Sequence, residues 1–160
     1  MPSATASVST ADTDPRSMTC SLDLPRAEER LMIAAMPRKL LIVIANTDPR
    51  NHEELGAPFF QAAVAAAMDF AVEVICTAAA GCLMKCGVAE TLTVKPGSDK
   101  SVYDFIKDAH ELGAKFYACA GNLELFGMDP KDLIPECTGV VGTAYLIDRV
   151  MSDEFRVLSY

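Results

Sequence analysis

Positive charge is scarce in this chain. Fourteen Lys and Arg stand against twenty-two Asp and Glu, a formal net charge of −8 at neutral pH. A surface that tracks phosphates by charge is a poor prospect on that balance, so nucleic acid leaves the set of partners. Long apolar runs are also missing. The longest, such as Leu40 to Ala45, are strand-sized, whereas a spanning helix needs roughly 18 apolar residues, so no membrane insertion is expected. Nor does Met1 to Cys20 offer an apolar stretch after a basic start, and Asp12 and Asp14 argue against an acid-poor transit peptide. A cytoplasmic location is the expectation.

Several chemical signatures are absent as well. No Gly-x-Gly-x-x-Gly or Gly-Lys-Ser/Thr run follows any expected strand, which leaves a phosphate cradle unsupported, although a flavin could bind through backbone contacts alone. There is no Cys-x-x-Cys pair, and the two histidines, His52 and His110, are far apart in sequence. Neither a metal site nor a cofactor is expected. A Gly-x-Ser-x-Gly elbow is lacking too. His52 is the one loop residue placed to act as a proton donor, and Glu53, Glu54 and Glu136 read as solvated loop carboxylates.

What is present describes one domain. The 160 residues are 51% apolar and 22% charged, enough for a single sizeable core. Residues 1–37 read as a leader. Their first 25 positions are rich in Ser, Thr, Ala, Asp and Pro without period, a composition that cannot offset its ordering entropy. Arg26 to Met36 could form a short helix before Pro37, and translation from Met36 is a further expectation, since that residue directly precedes the first strand. Residues 38–160 form the expected α/β domain.

Within it, strands alternate with helices. Leu40 to Ala45 and Val72 to Cys76 are continuous apolar runs of the kind buried on both faces. Ala57 to Phe70 reads as an Ala-rich helix opened by Gly56 and Pro58, and Ala78 to Lys85 as a short helix closed by Gly87. Ser101 with Asp104 starts another helix, carrying Val102, Phe105, Ile106, Ala109 and Leu112 on one face and ending at Gly113. Lys115 to Ala118 is a strand, Gly121 to Phe126 a short helix, Thr138 to Met151 a longer helix and Phe155 to Ser159 a closing strand. Connections too long for hairpins imply parallel pairing, hence a three-layer α/β/α domain. Reactive groups in such sheets gather at the strands' carboxyl ends, which singles out the loops Asn46 to Leu55, Thr77 to Gly81 and Cys119 to Asn122.

Six cysteines (Cys20, Cys76, Cys82, Cys86, Cys119, Cys137) sit among strand- and helix-like runs of a chain with an ample core, and read as reduced thiols. Cys82 and Cys86, four apart with Ala79 and Leu83 on one stripe, read as small buried hydrophobes, and a disulfide between them within a helix is geometrically poor. Cys119 differs. It ends a strand immediately before a short helix, where first-turn N–H groups and the helix dipole favour a thiolate, and Ala118, Ala120 and Gly121 leave room for a second sulfur. A buried cysteine closing a strand is the competing reading.

The run Phe116-Tyr-Ala-Cys119-Ala-Gly-Asn-Leu-Glu-Leu-Phe-Gly127-Met resembles the signature of the DsrE/DsrF/TusD sulfur-relay proteins. Val72-Glu-Val-Ile-Cys-Thr with Gly81-Cys-Leu-Met-Lys-Cys-Gly-Val-Ala-Glu90 is similar to the family's second strand and following helix. Gly139 to Val150, with Arg156 to Tyr160, is similar to its C-terminal helix and last strand. The resemblance implies a central, mostly parallel five-stranded sheet. It also implies a sulfurtransferase or sulfur carrier in a sulfur-relay or dissimilatory sulfur-oxidation pathway, with no cofactor. Cys119 would take a sulfane sulfur as a persulfide from a TusA-like carrier or a rhodanese and pass it to a partner thiol. Ala120, Gly121 and Asn122 would form the thiolate-stabilising loop, and the assembly would be a homotrimer or homohexamer. Two alternatives stay open: a redox protein in which Cys82 or Cys86 resolves Cys119, and a non-catalytic oligomerising subunit.

Overall fold

Leu41 to Ile44 are all buried, as a continuous apolar run requires when both sides of a strand are covered. In the computed structural model, which describes residues 39–48 and 50–160, this run belongs to β1 (Lys39–Ile44), one strand in from one edge of a five-stranded sheet. The others are β2 (Ala71–Cys76), β3 (Lys115–Cys119), β4 (Cys137–Val141) and β5 (Phe155–Ser159). Their order is β4-β3-β2-β1-β5, and every pair is parallel. The leader, its expected helix, Cys20 and the start at Met36 lie outside the described residues.

Four α-helices connect the strands: α1 (Gly56–Ala67), α2 (Val102–Glu111), α3 (Ala120–Phe126) and α4 (Thr143–Met151). Successive strand residues point to opposite faces, and the two faces are packed differently. Ile42, Ile44, Val74, Cys76, Phe116 and Ala118 join the larger core with Phe59 of α1 and Ile106 of α2. On the other face Leu41, Val43, Ile75 and Phe155 form a smaller core, against which Tyr117, Val141, and Tyr145 and Leu146 of α4 pack. Helices on both faces of a parallel sheet make the expected three-layer α/β/α arrangement.

Local signals explain most boundaries. Ser101 caps α2 in a full capping box: its hydroxyl accepts from the Asp104 N–H at 3.2 Å, and the Asp104 carboxylate accepts from the Ser101 N–H at 2.9 Å. Gly113, at φ 104°, turns the chain out of that helix. Two expectations are corrected. Thr138 to Met151 is not one helix: the stretch holds most of β4, then Gly142, then α4. Two of the five residues of β4, Thr138 and Val140, are exposed and none is buried, because it is an edge strand, and Thr-Gly-Val-Val lacks the buried run that marks a central one. The segment after β2 is a 3-10 helix, Ala78–Met84, ending before Cys86, so the supposed α-helical stripe of Ala79, Cys82, Leu83 and Cys86 does not exist.

One carboxylate ties α4 to the sheet. Glu73 of β2 accepts from the Tyr145 hydroxyl at 2.9 Å and from Arg149 Nε at 3.2 Å, with Arg149 stacked over the Tyr145 ring. Replacing Glu73 by Ala strands two donors between helix and sheet, and should cost about 2 kcal/mol of stability, read as a lower midpoint in urea unfolding.

Candidate functional site

Because every strand runs the same way, the loops after β1, β2, β3 and β4 all leave from one edge of the sheet, which holds the three loops singled out from the sequence. Cys119 lies on that edge at the end of β3, one strand in from the side strand β4. It is the last residue of β3 and the N-cap of α3, with φ −74° and ψ 132°, and its side chain makes no capping bond. The residue is partly exposed, so it is not the sealed strand-closing cysteine of the competing reading. Strand alternation puts it on the face of Tyr117, and its register partner Val141 packs on that face too.

Two helices start beside it. The first-turn N–H groups of Ala120, Gly121 and Asn122 have no acceptor within α3. One residue past Val141, Gly142 caps α4 without any side-chain bond, and neither helix has an acidic residue in its first turn. The second start went unseen in the sequence because 138–151 was read as continuous helix; Gly142 followed by Thr143 is the signal that marks it.

Asn122 keeps its backbone N–H in that first turn, while its side chain is engaged elsewhere. Only 3% exposed, that side chain donates from Nδ2 to the Ala78 carbonyl at 2.6 Å. Ala78 is in the left-handed region, φ 46°, a conformation that costs an L-residue roughly 1–2 kcal/mol. Gly81 lies directly under the amide: a Cβ there would come within 1.7 Å of Asn122 Nδ2. The 3-10 helix after β2 is thus clamped to the first turn of α3. Gly81 carried a detectable signal, a lone glycine among Ala, Cys and Leu where a flexible turn is not needed.

The other thiols differ in environment. Cys76 is fully buried in β2; burial first, then the nearby thiols of Cys137 and Cys82, push its ionisation far above the usual thiol range. Burial also raises Cys137, whose Sγ donates to the Gly139 carbonyl at 3.4 Å. Cys82 is raised by burial, with the Asp48 carboxylate adding to the effect against the pull of its own backbone contact, and its Sγ donates to the Ala79 carbonyl at 3.4 Å. Its 3-10 helix packs into the larger core, on the face opposite to that assigned to Cys119. Cys86 is exposed and donates to the Leu133 carbonyl at 3.2 Å, on the segment that bridges Lys85 to Leu133. The structure therefore joins Cys119 with Ala120, Gly121 and Asn122, and sets Cys82 and Cys86 on other segments. Neither is the fully buried hydrophobe expected.

Of the loop polar groups, Glu54 is exposed and accepts from the Asn51 side chain, and the Glu136 carboxylate accepts the single Tyr103 hydroxyl proton, its two oxygens at 3.0 and 2.9 Å from that hydroxyl. His110 is exposed on α2. Among the described residues no group of three His, Cys, Asp or Glu is arranged to hold a metal ion, and no helix is long and apolar enough to cross a membrane.

Residues 80–155 match the sequence profile of the DsrE/DsrF/DrsH-like family. Over that stretch the chain is similar to that family. The stretch contains Gly81, Cys82, Cys86, Cys119, Asn122 and both helix starts at the rim. A solved structure, that of the protein of unknown function MTH1491 from Methanobacterium thermoautotrophicum, shares the fold at a TM-score of 0.53 and 17% identity, covering 76% of this chain and 98% of that one. No curated protein matches the chain. The parallel α/β architecture puts Cys119 at the rim but does not by itself make the Ala78–Gly81–Asn122 clamp, which is a contact of side chain on backbone. Gly81→Ala should cost about 2 kcal/mol by overpacking. Adding Asn122→Ala should recover part of that loss, a non-additivity measurable in a double-mutant cycle by urea unfolding.

Proposed function

We propose that the protein carries sulfane sulfur as a persulfide on Cys119. A sulfur-relay-related role is what the DsrE-like family suggests. The finer reading is supported by one observation above all: a partly exposed cysteine, free of any side-chain capping bond, ends a strand at the rim between two uncapped helix starts.

The chemistry is thiol–disulfide-type exchange and needs no cofactor. The Cys119 thiolate attacks the outer sulfur of a donor persulfide. An S–S bond forms to Cys119 as the donor's S–S bond breaks, and the donor leaves as a thiolate that takes up a proton. An acceptor thiolate then attacks the outer sulfur on Cys119, releasing Cys119 as thiolate. The sulfur moves with no net oxidation. N–H groups of Ala120, Gly121 and Asn122 favour the anionic sulfur through helix-start donation. A TusA-like carrier or a rhodanese supplies the sulfur in this reading, in the cytoplasm, within a sulfur-relay or sulfur-oxidation route.

Self-association into a trimer or hexamer belongs to the same proposal. Its support is the outer side of α4, where Ile147, Val150 and Met151 are exposed. Sedimentation should show an assembly larger than one chain, and a monomer at all concentrations would remove this part. For the carrier step, intact-mass measurement after incubation with polysulfide should show a gain of one sulfur atom, reversed by dithiothreitol. Cys119→Ser should abolish that gain while keeping the circular dichroism spectrum. Undiminished loading of the folded variant would overturn the assignment.

A further inference from the structure

A second site lies on the larger-core face, formed by residues that Cys119 chemistry does not use. Phe60, Val64 and Met68 recur every fourth residue along α1 and its C-cap, so they form one row, and the first and last are 58% and 59% exposed. Facing the row are Leu40 of β1 and Leu158 of β5, which share a sheet face with Arg156 through the pairs Leu40–Arg156 and Ile42–Leu158. Between row and strands runs a groove of about 360 Å³, within the roughly 300–1,000 Å³ of small-molecule sites, its lining apolar apart from Gln61, Arg156 and Lys39, the last already paired with Glu154.

Arg156 lines this groove. Among the described residues Arg50 and Arg149 each hold a carboxylate, whereas Arg156 holds none; its only bond is from Nη1 to the neighbouring Phe155 carbonyl at 3.5 Å. A chain of net charge −8 thus leaves a guanidinium unmatched at the edge of an apolar trough. The complement is an anion with an apolar body, because guanidinium binds a carboxylate in paired, charge-assisted bonds while the trough buries hydrocarbon.

We propose that this groove binds a small free carboxylate with an unbranched apolar tail, the tail along Leu40, Val64 and Leu158 and the carboxylate on Arg156. The site is independent of sulfur carriage.

Decanoate titrated into the full chain by calorimetry tests it, with decanol and decyltrimethylammonium as uncharged and cationic counterparts. Decanoate should bind saturably at one per chain. Arg156→Gln should weaken it about ten-fold, the loss of one charge-assisted contact, and leave decanol unchanged. Val64→Glu should abolish both, and Cys119→Ser should alter neither. Both groove substitutions fall at exposed positions, and each variant should keep the circular dichroism spectrum of the parent. Absence of saturable binding, equal decanoate affinity in Arg156→Gln, or equally tight binding of the cation would each overturn the proposal. So would concentration-dependent dimerisation that Val64→Glu abolishes while decanoate fails to bind, which would give the groove to a second copy.

Discussion

Parallel pairing is the constraint from which the rest follows. Two parallel strands cannot be joined by a tight turn, so each strand must send its chain across a face of the sheet and return it to the same starting end. All carboxyl ends then meet at one rim. Residues as far apart as Ala78, Cys119 and Gly142 become neighbours of that rim without any local sequence motif joining them. The two faces are free to differ, and here they do: α1, α2 and the 3-10 helix build the large core, and α4 closes the small one through Tyr145, Leu146 and Arg149.

That division separates the thiols. Cys76 and Cys137 sit where burial suppresses ionisation, Cys82 is held by a backbone carbonyl on the larger-core side, and Cys86 is anchored to Leu133. Cys119 ends β3 at the rim as Cys76 ends β2, but Cys119 is partly exposed where Cys76 is fully buried. Placement in the fold, rather than local sequence, sets these differences in burial.

Elements with strong local causes were readable from sequence. The apolar runs of β1 and β2, the Ser101–Asp104 capping box and the turn at Gly113 each carry their own physical signal, and each is in place. So is Cys119 at the junction of β3 and α3. The misreadings fall where the signal is weak or comes from elsewhere in the fold. β4 is an edge strand of Thr, Gly and Val, and its apolar content blended into that of α4. The segment after β2 looks helical by composition. Its 3-10 geometry comes with a left-handed Ala78 and a bond from Asn122, 44 residues away, which no local window contains. Arg156 was invisible as a site residue for the same reason: its significance lies in the acid that is not beside it.

The clamp at the rim binds three positions into one evolutionary unit. While Asn122 is present, any side chain at 81 collides with it, so substitution at 81 becomes tolerable only after 122 has shrunk. Shrinking 122 in turn removes the donor that holds the Ala78 carbonyl, favouring a glycine there. Across related sequences these positions should therefore drift in a fixed order, and lineages that retain the asparagine should retain the glycine with it.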